Sequence, residues 1–287
     1  MDPVGTASSP SAGGGGRAGR DLGAAVAVGA GLVVVVLATL FTVKQLFLLV
    51  VAVAVVLAVR ELAGVLKAVD LDVPLVPVAV GGAAMVPGAY YGGPEPLLVI
   101  AVATVLAVLV WRLAGGSVGY ARDSSAGALA TLYVPLLAAF AALMLRPADG
   151  PARVLTFIIV TICSDVGGYA IGVLLGRHPM APTVSPNKSW EGAAGSLVVC
   201  VVGGWVSVTV LLGGAWWQGI IVGAAATVTA TVGDLTESMI KRDAGVKDMG
   251  SLLPGHGGVM DRLDSLLPTA PVVYLLLSWM VTSPPAL

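Results

Sequence analysis

The chain has 287 residues, 57% of them hydrophobic and 11% charged, with a formal net charge of −1 from 15 basic and 16 acidic side chains. A mean hydropathy of +0.96 excludes an ordinary soluble globular protein, and the near balance of charge implies no nucleic-acid partner. Two cysteines, Cys163 and Cys200, lie in apolar runs without disulfide or metal-ligand spacing.

Residues 1–21 are rich in Gly, Ser and Ala and lack an apolar core, so they read as a disordered cytoplasmic tail and not a signal peptide. Apolar stretches near the ~20 residues that a span requires follow at 22–41, 46–66, 73–92, 96–113, 126–145, 152–176, 190–213, 216–237 and 267–283. The expected fold is all-α, a polytopic membrane bundle of about nine transmembrane helices. Because the apolar run 22–59 is too long for one span, a tight turn is expected near Thr42, Lys44 and Gln45. With the N-terminus cytoplasmic, only Lys44, Arg146 and Arg153 of the 15 basic residues fall outside, the arrangement that the positive-inside rule favours. The spans within 22–146 are nearly featureless and read as scaffold, whereas 152–283 holds almost every unusual residue and reads as the catalytic region.

In the sixth span, Asp165 of "ICSDVGGYAIGVLLGR" places a carboxylate where ionised groups are costly and usually face a polar cavity. Gly168, Gly172 and Gly176, four apart, read as a helix-packing stripe. In the following connection, Pro182 and Pro186 forbid a helix, and Ser189 before Trp190, Glu191 and Gly192 reads as a helix start at the cytoplasmic interface. Ser185, Asn187, Lys188 and Glu191 cluster around Trp190, a pattern that suits a polar head or nucleobase as well as an ordinary interfacial anchor.

The densest polar stretch is "GDLTESMIKRDAGVKDMGSLLPGHGGVMDRLD", 233–264. If the eighth helix continues past the membrane surface, Asp234, Ser238, Lys241 and Arg242 share one face. Beyond Pro254, Gly255, Gly257 and Gly258 allow the main chain to approach a ligand closely. Asp261 and Asp264, three apart, are expected at the start of the last helix, again on one face. Carboxylates without cysteine or paired histidine suit Mg²⁺ and exclude zinc. With Lys241, Arg242, Lys247 and Arg262, they fit metal-assisted phosphoryl or nucleotidyl transfer.

The run from Ser238 to Asp264, "SMIKRDAGVKDMGSLLPGHGGVMDRLD", resembles the signature of the integral-membrane phosphatidate cytidylyltransferases, or CDP-diacylglycerol synthases. "SDVGGYAIGVLLGR" and "SPNKSWEG" are similar to two further stretches of that family, with Asn187 where it usually has lysine and Ser189 where it has threonine. The resemblance, over roughly 160–283, implies Mg²⁺-dependent transfer of CMP from CTP to phosphatidic acid, giving CDP-diacylglycerol and pyrophosphate. It further implies a homodimer in a bacterial plasma membrane with the site facing the cytoplasm. Carried onto this chain, Asp234 and Asp261 are the expected metal ligands, with a second metal ion admitted and Asp264 and Asp248 as further candidates. Lys241, Arg242, Lys247 and Arg262 would hold the phosphates, Ser185, Lys188 and Trp190 would border the nucleotide, and Asp165, Ser238, Gly257 and Gly258 would complete the substrate site. His256 is expected to hold a phosphate oxygen or order the bend, because a phosphate nucleophile already anionic near neutral pH needs no base. Two other readings stand beside this one. One is a related CTP-dependent transferase or kinase acting on an isoprenoid or ether lipid; the other is a transporter lined by Asp165.

Overall fold

The computed structural model describes residues 18–252 and 257–282, with side chains from residue 29 onward. Helix α1 (Ala18–Thr42) begins ahead of the first apolar stretch, so residues 18–21, read as tail, are helical. The remaining tail residues, 1–17, lie outside the described residues, as do Pro254, Gly255 and His256 of the glycine bend. Val43 is a single extended residue before α2 (Lys44–Lys67), and it makes the tight turn that the long apolar run demanded. Lys44 Nζ closes that corner by donating to the carbonyls of Leu145 (3.2 Å) and Pro147 (3.0 Å), acceptors that a helix end leaves without a partner in the helix.

Gly93, at φ 92°, joins α3 (Leu75–Gly92) to α4 (Pro94–Leu113), a left-handed φ that favours glycine. The next span is one rod, Tyr120–Leu145, built from α5 (Tyr120–Thr131), a π-turn over Leu132–Leu136 and α6 (Leu137–Leu145). Pro135 lies in the π-turn, where the wider ladder absorbs the hydrogen bond that proline cannot make. After α7 (Gly150–Leu175) the chain forms a small antiparallel hairpin, β1 (Pro179–Ala181) with β2 (Ser185–Ser189), where sequence predicted only a break. Ser189 then caps α8 (Trp190–Leu212), its Oγ accepting from the Gly192 amide at 3.1 Å, so the expected helix start is present.

Helix α9 (Trp216–Asp243) has 28 residues, roughly 42 Å at 1.5 Å per residue. That exceeds a ~30 Å hydrocarbon layer, so the helix is long enough for its charged last turns to stand clear of the apolar zone. The last helix, α10 (Leu266–Met280), has 15 residues. Contrary to expectation, Asp261 is not on it: Asp261 sits in a 3₁₀ turn, Met260–Arg262, and Asp264 precedes the helix. The reason is local, because the Asp261 carboxylate takes the amides of Gly258 and Met249 and folds the chain back before a helix can begin.

Seven rods from α2 to α9 are long and apolar enough to cross a membrane, and α1 and α10 add shorter apolar helices, giving nine helical rods among the described residues. Successive packing of α7 on α8, α8 on α9 and α9 on α10 forms one layer, and α6 links it to α2 and α3. The glycine stripe of α7 faces α8: a Cβ at Gly168 would lie 2.6 Å from Ser196 Oγ, a close approach of the kind their spacing indicated, although Gly168 also lines the cavity described below. Polar ties also link the helices at the two ends of the bundle. At one end Arg153 donates to the carbonyls of Leu277 (3.0 Å) and Val281 (2.8 Å). At the other, the Asp72 amide meets Asp123 (3.1 Å) and the Met260 amide meets Glu61 (2.8 Å).

Candidate active site

A cavity of about 530 Å³ opens at the second of these ends, between α7, α8, the hairpin and α9, and is bordered further by Asp248, Asp261, Arg262 and Asp264. Its wall reaches from solvent-side residues, Asn187 and Asp248, down to Ser164, Asp165 and Ser196 within the spans. The volume lies in the range of ordinary ligand sites.

Five carboxylates line it, those of Asp165, Asp234, Asp248, Asp261 and Asp264, together with Lys188, Lys241 and Arg262. Lys188, at the end of the hairpin, is paired with Asp234 on α9. Lys241 lies between two carboxylates, 3.0 Å from Asp261 Oδ1 and 3.2 Å from Glu237 Oε1. Ser265 joins the remaining pair: its amide donates to Asp264 Oδ1 at 2.7 Å and its hydroxyl to Asp165 Oδ2 at 3.3 Å.

Two aspartates of the signature are in opposite electrostatic states. Burial pulls the Asp261 pKa upward, but the Gly258 amide at 2.8 Å and the Lys241 ammonium outweigh it and hold the carboxyl below its usual range. At Asp264, burial and then the nearby Asp234 carboxylate push the value up to about 6. Asp261 is thus held as an anion, whereas burial and the neighbouring Asp234 carboxylate disfavour the charge on Asp264.

The other sequence candidates fall in distinct places. Ser238 lines the cavity with Asp234 and Lys241, but Arg242 turns away and its Nε donates to the Val184 carbonyl at 3.3 Å, tying α9 to the hairpin. Ser185 and Lys247 are not part of the wall, and Trp190 is 62% exposed, the position of an interfacial anchor. Glu191 serves the hairpin: its Oε2 accepts from the amides of Arg177 (3.1 Å) and His178 (3.2 Å). Gly258 contributes its amide to Asp261, and Gly257 has φ 78°; His256 lies outside the described residues.

Two carboxylates were not anticipated. Glu237 is fully buried beside Lys241; it lies three residues after Asp234 and four before Lys241, so the same helical-face argument would have found it. Glu61, on α2 in the half read as scaffold, reaches across to the signature turn. A charge near a span end is ordinary, which is why it carried no signal.

The model of the cytidylyltransferase family matches residues 24–280, from α1 to the end of α10. The chain belongs to the cytidylyltransferase family. It is 41% identical over 275 residues to a Mycobacterium bovis protein named phosphatidate cytidylyltransferase, covering 91% of this chain and 90% of that one. A Mycobacterium leprae protein of the same name is 42% identical over 278 residues, covering 91% and 89%. A Synechocystis protein, also so named, is 41% identical over 152 residues, half of each chain. The family match therefore includes the apolar N-terminal helices, which lie outside the 160–283 resemblance read from sequence, and with them Glu61.

Proposed function

We propose that the chain transfers CMP from CTP to phosphatidic acid, yielding CDP-diacylglycerol and pyrophosphate. The observation that carries this reading is a single cavity whose carboxylates, lysines and Arg262 lie together while its wall descends to Ser164 and Asp165 within the membrane spans. Such a site admits a water-borne nucleotide triphosphate from one side and a lipid headgroup from the other. The mycobacterial relatives, matched along nearly the whole chain, bear the name of this activity.

In the reaction, a phosphate oxygen of phosphatidic acid attacks the α-phosphorus of CTP, and the bond from that phosphorus to the oxygen bridging to the β-phosphate breaks, releasing pyrophosphate. Lys188 and Arg262 are placed to hold the phosphates, and Lys241, fixed between Glu237 and Asp261, presents a positive charge of set position. No catalytic proton acceptor is needed, because the attacking oxygen is already anionic.

Magnesium belongs to the same proposal. Among the described residues no three metal-ligating side chains converge on one point, but Mg²⁺ is commonly held by one or two carboxylates with water and substrate phosphates. The all-oxygen donor set and the crowding of Asp234 and Asp264 fit that demand. Asp234 and Asp261 would hold the ion, which would neutralise charge developing on the transferred phosphoryl group. A homodimer, and a cytoplasmic orientation of the site, are carried from the sequence resemblance and charge pattern; the mass of the detergent-solubilised protein tests the first.

The decisive assay offers purified protein CTP and Mg²⁺ with one lipid acceptor at a time. Pyrophosphate release with phosphatidic acid, and not with an isoprenoid alcohol or ether-lipid alcohol, supports the reading. Transfer to one of those alcohols instead, read as pyrophosphate release for a cytidylyl transfer or as CDP release for a phosphoryl transfer, would move the activity to that acceptor class.

A further inference from the structure

We infer that Glu61 is a positioning residue for the site: a carboxylate from α2 that clamps the signature turn and thereby aims Asp261. Glu61 is 8% exposed, and its Oε2 accepts the Met260 amide at 2.8 Å. On either side of it the chain runs close. A Cβ at Gly250 would lie 2.3 Å from Glu61 Oε1, and a Cβ at Gly258 would lie 2.5 Å from Oε2. Those separations are shorter than real Cβ contacts allow, so a Cβ at either position would displace the Glu61 carboxylate from its place. Gly258, read from sequence as allowing close approach to a ligand, and Gly250 thus both face one side chain, that of Glu61.

Asp261 grips the same strands of chain from the opposite side, through the amides of Met249 at 3.0 Å and Gly258 at 2.8 Å. Segments 249–250 and 258–260 are therefore held between two carboxylates, one from each half of the molecule. Burying a carboxylate away from water is unfavourable, and a neutral side chain would pack α2 without that cost. The bond from the Met260 amide to Glu61 Oε2 fixes the turn that carries Asp261, and misplacing a catalytic group by about 1 Å costs on the order of a hundredfold.

The contact with Gly250 gives a test specific to this pairing, since the three atoms nearest to an added Cβ there all belong to Glu61. Turnover per folded molecule is measured in detergent with CTP and phosphatidic acid. Hydrogen exchange of the peptide spanning 249–262 is measured on the same preparations. Glu61→Ala is expected to lower turnover about tenfold or more and to raise exchange in that peptide alone, whereas Glu61→Gln, which retains an acceptor for Met260, stays within about threefold of wild type. Gly250→Ala should be as damaging as Glu61→Ala in the wild-type background and change turnover less than about twofold when added to Glu61→Ala. Equal cost of Gly250→Ala in both backgrounds, or wild-type turnover and exchange in Glu61→Ala, overturns the inference. Should Glu61→Ala not fold, Glu61→Asp carries the same comparisons, because its shorter side chain leaves both Met260 and position 250. The turnover measurement rests on the proposed function; the exchange measurement does not, so an inactive wild type would count against that function while leaving the clamp to be judged by exchange.

Discussion

At the scale of single residues, Asp234 and Asp261 differ in a way that their equal standing as expected metal ligands concealed. Asp261 accepts from two amides and from Lys241, so an amide in its place turns a donor toward other donors. Asp261→Asn is therefore expected to abolish turnover and to loosen 249–262 in hydrogen exchange, whereas Asp234→Asn abolishes turnover and leaves that exchange unchanged. Equal exchange in the two variants would contradict this division. Asp264 supplies a pH signature. Its carboxyl titrates at about 6 in the folded protein, above an unfolded aspartate at ~3.9. The folded state holds the proton more tightly, so the stability from Asp264 is fully present below about pH 4 and is lost as pH rises through about 6. In metal-free detergent solution, the melting temperature of Asp264→Asn relative to wild type should accordingly rise across that window; a difference independent of pH would place the Asp264 charge elsewhere.

At the scale of elements, the site depends on how closely α8 approaches α9, because Lys188 enters α8 and Asp234 sits on α9. A Cβ at Gly223 would fall 2.2 Å from the Cys200 carbonyl oxygen, and one at Gly204 would fall 2.3 Å from the Gly219 carbonyl oxygen. Gly223→Ala must push the helices apart; overpacking of this kind costs ~1–3 kcal/mol. It is expected to lower the melting temperature and raise KM for CTP, and an unchanged melting temperature would show that the seam is looser than its backbone distances indicate. These elements were largely legible in the sequence. Apolar length marked the spans, Ser189 marked the start of α8, and the polar face of α9 marked its rise from the membrane. What was not legible came from backbone hydrogen bonding at a distance. The 3₁₀ turn at Met260–Arg262 exists because Asp261 reaches back to Met249, and no local pattern records that. Arg242 likewise shares the face of Asp234 in helical spacing, yet an accessible carbonyl at Val184 draws it off the cavity.

At the scale of the molecule, one end of the bundle gathers the hairpin, the end of α9 and the signature turn, and on the charge pattern we propose that this end faces the cytoplasm. In a variant with Cys163 and Cys200 replaced, single cysteines at Asn187 and Ser251 should react with impermeant reagent only from the cytoplasmic side, and one at Ala148 only from outside. Labelling of position 251 from outside intact cells would reverse the orientation. The same whole-molecule view explains why dividing the chain into scaffold and catalytic halves was incomplete: Glu61 crosses between them, and its partner lies 199 residues away. The central claim, transfer of CMP to a lipid phosphate, is tested most directly by supplying phosphatidic acid with CTP labelled at the α-phosphate or, in parallel, at the γ-phosphate. The account predicts α-label in the extracted lipid and γ-label in free pyrophosphate, in equal amounts. Label from the γ-phosphate in the lipid, with none from the α-phosphate, would mean a kinase and contradict it.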